Sequence, residues 1–224
     1  MLLNTDFDRP ALMHGAALDW TVTPSAGVER RMLMRIGEEK AVATSLVRFA
    51  PGSTFGEHFH PGGEEFLVLD GVFEDESGSY PAGSYVRNPP GSRHTPQAQR
   101  GCVILVNLWQ FPPDDHEPVQ LQPGESWPED AVQPGRRLLY RSAHEEVCIS
   151  STPPGGVLSL DNPEGLQLLL LEGECVVDER PLYAMSWLRL PAGHALSLLA
   201  GPRGCRAWIK RAAPPEEALR RLGE

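Results

Sequence analysis

The stretch PGSTFGEHFHPGGEEFLVLDG, residues 51–71, decides how the chain folds and where its chemistry sits. His58 and His60 are separated by one residue, and alternate side chains on a strand point to the same face. Two imidazoles about 7 Å apart along one strand converge on a single ion when a third ligand meets them. Pro61, Gly62 and Gly63 reverse the chain locally, after which Glu64 and Glu65 enter the next strand. Glu64 shares the parity of the histidines if the pleat resumes, so Glu64 rather than Glu65 is the expected carboxylate ligand. Phe66, Leu67, Val68 and Leu69 read as a buried strand, with Asp70-Gly71 as a hairpin turn after it.

Outward from this stretch, GSYVRNPPGSRH, residues 83–94, brings His94 in after a Pro-Gly turn. His58, His60, Glu64 and His94 are the expected ligands of one divalent metal ion. Three imidazoles and a carboxylate, without thiolate, suit zinc, iron(II), manganese, nickel or copper. Around tetrahedral zinc, four protein ligands would close the site, whereas a six-coordinate ion would keep two positions open. Phe66, Gln97 and Trp109 are expected to line a pocket beside the ion.

The remaining pattern is all-β. Segments 30–36 and 42–49 read as strands joined by a Gly37-Glu38 turn. Val72 to Asp75, Tyr80, Ser84 to Arg87 and Cys102 to Phe111 complete a set of short strands without helical periodicity. An antiparallel barrel of the jelly-roll kind fits. The first 15 or so residues read as a leader, and PPDDHEPVQLQPGESWPEDAVQPG, residues 112–135, as a Pro-rich acidic linker. The expected organisation is a metal-binding domain over 1–113, a linker over 114–135 and a second domain over 136–224.

That second domain repeats the first at an offset of 102 to 106 residues. RRMLMR at Arg30 recurs as RRLLYR at Arg136, Leu69-Asp70-Gly71 as Leu171-Glu172-Gly173, and Arg100-Gly101-Cys102 as Arg203-Gly204-Cys205. In the second copy His58, His60, Glu64 and His94 become Leu160, Asn162, Leu166 and Leu196, so it is expected to hold no metal in this way. His194 aligns with Ser92 and reads as structural. Tyr85 and Arg87 recur as Trp187 and Arg189, which assigns them to the fold, and Cys102 and Cys205 to packing. His14, His116 and His144 read as solvated surface residues. The tail APPEEALRRLGE places acids first and arginines last, as a short helix prefers.

Thirty acidic against twenty basic residues give a net charge of −10, which argues against nucleic acid or an anionic membrane as a partner. Asp6 and Asp8 stand where a secretory signal would be basic and then apolar. Cys102, Cys148, Cys175 and Cys205 form no CxxC pair and no zinc spacing, as expected of free thiols in a reducing cytoplasm.

Two strings here resemble the cupin motifs. Gly52, His58, His60, Glu64 and Gly71 fit G-x5-H-x-H-x3-E-x6-G, and Gly83, Pro89, Gly91 and His94 fit G-x5-P-x-G-x2-H. Ala98 stands where that second motif usually ends in Asn. The resemblance implies a bicupin, with two tandem cupin barrels and a C-terminal helix. Residues 45–111, above all HPGGEE and YVRNPPGSRH, are similar to the cupin domain of ChrR-type anti-sigma factors. That likeness implies zinc at His58, His60, Glu64 and His94, and a part in the response to oxidative stress. In that family a separate N-terminal zinc-binding helical domain holds the sigma factor. No His/Cys cluster precedes the cupin here, so sigma-factor binding is not expected. The expected partners are a small-molecule ligand or substrate and, in a homodimer, a second copy of the chain. The expected role is sensing or ligand binding at the metal. The alternative is a non-haem dioxygenase acting on a small diketone-like or aromatic substrate.

Overall fold

The computed structural model describes residues 1–38, 40–112, 114–127 and 135–222. It is built from antiparallel strands, with one short α-helix, Glu216–Leu222, among the described residues. No helix among them is long and apolar enough to cross a membrane.

The chain divides into two compact units. In the first, the sheet runs in the order Leu2–Leu3, Val28–Gly37, Ala41–Phe49, Cys102–Leu108, Glu64–Asp75, Tyr85–Asn88 and Val119–Leu121. His58–His60 pairs separately with Ser92–His94. Its core gathers Phe49, Phe66, Val68, Phe73, Tyr80, Val86, Cys102 and Ile104. The long strand Glu64–Asp75 sends alternate side chains into this core, with Phe66, Val68 and Phe73 fully buried.

The second unit repeats the design. Its sheet runs Arg136–Arg141, Glu145–Thr152, Leu196–Ala212, Leu166–Val177, Ser186–Leu190 and Ala11–His14. The two copies agree in detail. Val28–Gly37 pairs with Ala41–Phe49 through a bulge between Met32 and Met34, and Arg136–Arg141 pairs with Glu145–Thr152 through one between Leu138 and Tyr140. The bulged residues, Leu33 and Leu139, are both completely buried. All four cysteines are buried and free. Cys102 lies in the core of the first copy and Cys205 in that of the second.

Three expectations need correction. Asp70-Gly71 is not a hairpin turn, because Glu64–Asp75 is one continuous strand. Gly71 sits at φ +71° beside a register shift opposite Val103 and Ile104, and a Cβ there would stand 2.1 Å from the Gly101 carbonyl oxygen. Only glycine permits both the left-handed backbone and this approach. The domain bounds of 1–113 and 136–224 do not hold at the chain's ends, since Ala11–His14 pairs with Ser186–Leu190, residues 6–18 belong to the second unit and the helix Glu216–Leu222 belongs to the first. The linker is partly strand: Val119–Leu121 pairs with Tyr85–Asn88 in the first unit. Its residues 128–134 lie outside the described residues, as do 113 and 224 at the expected domain ends.

Candidate metal centre

The pairing of His58–His60 with Ser92–His94 sets His58 directly opposite His94. Glu64 arrives from the far side of the Pro61-Gly62-Gly63 turn, at the head of its strand and opposite Asn88. This turn contains two glycines because two rings lie on it. A Cβ at Gly62 would stand 2.1 Å from the Trp109 ring, and one at Gly63 would stand 2.5 Å from that of Phe111.

The structure brings His58, His60, Glu64 and His94 together, with one donor atom from each within 4.8 Å of all the others. The imidazole centroids are 4.6 to 4.9 Å apart. Glu64 Oε2 lies 3.3 Å from His94 Nε2 and 3.6 Å from His60 Nε2. Glu65 takes another direction and accepts a hydrogen bond from the Tyr85 hydroxyl, beside the Arg87 guanidinium.

The outer nitrogens of two histidines already have partners. His58 Nδ1 lies 3.2 Å from the Gly56 carbonyl oxygen, and His94 Nδ1 lies 3.1 Å from Asp75 Oδ2. Carbonyl and carboxylate oxygens only accept, so each Nδ1 carries the proton. When these rings are neutral, their Nε2 atoms hold lone pairs. His60 Nε2 and His94 Nε2 are buried without any hydrogen-bond partner. A lone pair facing a carboxylate oxygen at 3.3 Å is stable only with a proton or a cation between them. The donor set therefore fits a divalent metal, and the group could hold one.

Electrostatics divide the three imidazoles. Burial holds the imidazoles of His58 and His60 below the ordinary histidine value, which favours the neutral, ligating form. Burial also pulls the His94 imidazole down. The hydrogen bond to Asp75 and the charges of Glu64, Asp75 and Glu76 outweigh it and leave His94 above the usual value.

The residues expected to line a pocket are placed differently from one another. Phe66 is fully buried and packs on the rings of Phe73 and Tyr80. Trp109, at φ +59°, lies against the Gly62 turn, and its backbone N–H donates to the Gly63 carbonyl. Gln97 pairs through its backbone with Thr54 and Glu74. His14, His116 and His144 are exposed, His14 in a hydrogen bond with Ser186. His194 is half-buried, and its carbonyl accepts from Asn162.

Two side chains that the motifs do not mark also touch the cluster. Asn88 Nδ2 donates to Glu64 Oε2 at 3.2 Å, and Asp75 holds His94. The signal that could have found them lies in the repeat, where Leu190 and Val177 take their places.

Residues 8–112 match the family model described as ChrR Cupin-like domain. Among curated proteins nothing matches this chain. Many solved structures are similar to it in fold. The Escherichia coli pirin YhhW in complex with nickel(II) has a TM-score of 0.70 at 14% identity, over 92% of this chain and 100% of that one. The E. coli protein YlbA has a TM-score of 0.68 at 17% identity, over 93% and 92%. The formate complex of Lactobacillus farciminis oxalate decarboxylase has a TM-score of 0.61 at 11% identity, over 91% and 86%.

Proposed function

We propose that this chain, a cupin by fold whose residues 8–112 match the ChrR Cupin-like domain, binds one divalent metal ion and presents it to a small ligand or oxidant. The ligands are His58, His60, Glu64 and His94. One observation carries this assignment: His94 Nε2, on a ring whose Nδ1 is committed to Asp75, is buried without a hydrogen-bond partner and faces Glu64 Oε2 at 3.3 Å.

The rest of the chain supports a task of binding. The second copy keeps the barrel but fills three of the four equivalent positions with leucines and the fourth with Asn162. Leu166 and Leu196 are buried in its core, with Leu160 packed against them. Leucines pack where the first copy has ligands, which argues against a purely bracing role for the metal in the first copy. Zinc is the favoured ion on the family likeness, and iron(II), manganese or nickel suit the same donors. Once bound, the metal supplies Lewis acidity at an exchangeable position. The chain's own residues hold it, favour the neutral form of His58 and His60 by burial, and exclude bulk water on the His60 and His94 side. His58 stays partly accessible on the other.

The alternative, a metal-dependent dioxygenase, uses the same ligands and differs in consuming oxygen. Elemental analysis of the purified protein should give close to one metal per chain, and His60→Ala should reduce it to near zero. Stoichiometric metal retained by that variant would overturn the assignment. With cobalt(II) as probe, added azide or a small carboxylate should change the visible spectrum. An unchanged spectrum means a sealed ion and sinks the ligand-binding role. Oxygen uptake with small diketones or flavonoids would move the reading from sensor to enzyme.

A further inference from the structure

Resting on the metal assignment above, we propose that Asp75 is the positioning residue of this centre, turning His94 Nε2 toward the ion, with Asn88 performing the same service for Glu64. The Asp75 side chain is only 4% exposed, and every contact it makes fixes its direction. Oδ1 accepts from the Ser77 N–H at 2.8 Å and from the Tyr80 hydroxyl at 3.4 Å, leaving Oδ2 for His94 Nδ1 at 3.1 Å. A carboxylate only accepts, so this contact places the proton of the neutral ring on Nδ1 and its lone pair on Nε2. The Nε2 so prepared is buried and without a hydrogen-bond partner. Carboxylate-to-histidine contacts of this kind orient a ligating ring and raise its basicity.

The second copy separates residues that serve the barrel from those that serve the ion. Its strand registers repeat those of the first, so equivalent positions are fixed by pairing. His58 opposite His94 becomes Leu160 opposite Leu196. Glu64 opposite Asn88 becomes Leu166 opposite Leu190. Phe73 opposite Tyr80 becomes Cys175 opposite Leu182, and Asp75 opposite Gly78 becomes Val177 opposite Arg180. Asp75, Tyr80 and Asn88 thus turn aliphatic together with three of the four ligands.

Other buried polar groups survive. Tyr85 bonds Glu65 in the first copy, and Trp187 bonds Gln167 in the second. Arg87 and Arg189 are both buried, each with its guanidinium over an aromatic ring. Val177, 2% exposed in the second core, shows that the strand end closes without a carboxylate. Asp75 therefore answers to the ion and not to the barrel.

The test compares wild type with Asp75→Val, which copies the second barrel, and Asp75→Asn, which keeps an acceptor but loses the charge. Zinc affinity is read by competition with a chromophoric chelator, and the His94 tautomer by nitrogen-15 NMR of the metal-free protein. Asp75→Val should weaken zinc about 10- to 100-fold and release the His94 proton from Nδ1. Asp75→Asn should fall between this variant and wild type. If Asp75→Val does not fold, Asp75→Asn carries the test. Wild-type affinity in the folded variants, or a His94 proton that stays on Nδ1 in folded Asp75→Val, overturns the positioning role and leaves the metal site standing. A folded wild type that takes up no zinc sinks the metal assignment itself, and the positioning role with it.

Discussion

Glu64 and Glu65 stand side by side at the head of one strand, and the pleat turns the first toward His60 and His94 and the second toward Tyr85 and Arg87. Their substitutions should therefore fail in opposite ways. Glu64→Gln removes an anionic donor and should reduce metal retention at least tenfold, with little effect on unfolding of the metal-free protein. Glu65→Gln leaves Arg87 buried beside a neutral partner. Breaking a buried pair costs about 3–5 kcal/mol. Arg87 keeps Asp115 at 2.5 Å, which puts the expected loss at the low end of that range, about 3 kcal/mol or less, with metal affinity unchanged. Chelator competition and urea unfolding of the two variants would decide, and a shared phenotype would refute the division. At this scale the side to which each carboxylate turns was legible, because a period of two is a property of the chain itself. Asp75 and Asn88 were not. They reach the cluster through cross-strand register, which no spacing within one strand reports. Reading them required the repeat aligned position by position.

The long strand was legible in composition but not in extent. Leu69-Asp70-Gly71 looks like the end of a hairpin, yet the structure uses glycine there to pass through a bulge without breaking the strand. The second copy does the same with Gly173, at φ +78°, where a Cβ would meet the Gly204 carbonyl oxygen at 2.2 Å. A left-handed conformation costs a residue with a Cβ about 1–2 kcal/mol. Gly52→Ala, at φ +77° with nothing within 4 Å of the new methyl, should cost no more than this. Gly71→Ala adds a backbone clash and should lower stability well beyond it, as compared by thermal unfolding. Equal losses would mean that the close approach relaxes freely. In the second copy, Glu146 gathers Arg136, Arg141 and Arg211 across three neighbouring strands. Burial raises its pKa, but the arginines outweigh burial and hold the carboxyl below its ordinary value. A depressed folded pKa contributes stability that is complete above the unfolded value of about 4.3 and is lost as pH falls through the folded value. Glu146→Gln should therefore destabilise the protein at neutral pH and flatten the loss of stability between about pH 4.3 and lower values. An acid limb as steep as that of wild type would show that other carboxylates govern it.

At the scale of the molecule, the duplication was plain from the sequence, because an offset held between 102 and 106 across strands, turns, glycines and cysteines has no other simple origin. Ownership of the short flanking strands was not. Ala11–His14 belongs to the second unit and Val119–Leu121 to the first, and segments of three or four residues carry too little periodicity to name their partner strand. The duplication has a thermodynamic consequence. All four residues proposed to hold the metal lie in the first unit, and the equivalent positions of the second are leucines and an asparagine. An ion that binds only the folded state stabilises it by RT ln(1 + [L]/Kd), about 4.1 kcal/mol at a thousandfold excess over Kd. This free energy acts on openings that break the site and leaves openings confined to other strands unchanged. Hydrogen exchange with and without zinc should therefore show added protection around His58–His60, Glu64–Asp75 and Ser92–His94, and little in Leu166–Val177 or Leu196–Ala212. His60→Ala should abolish the difference. Equal added protection in both units would show that the second copy takes part in metal binding despite its leucines, and would overturn its assignment as a barrel without an ion.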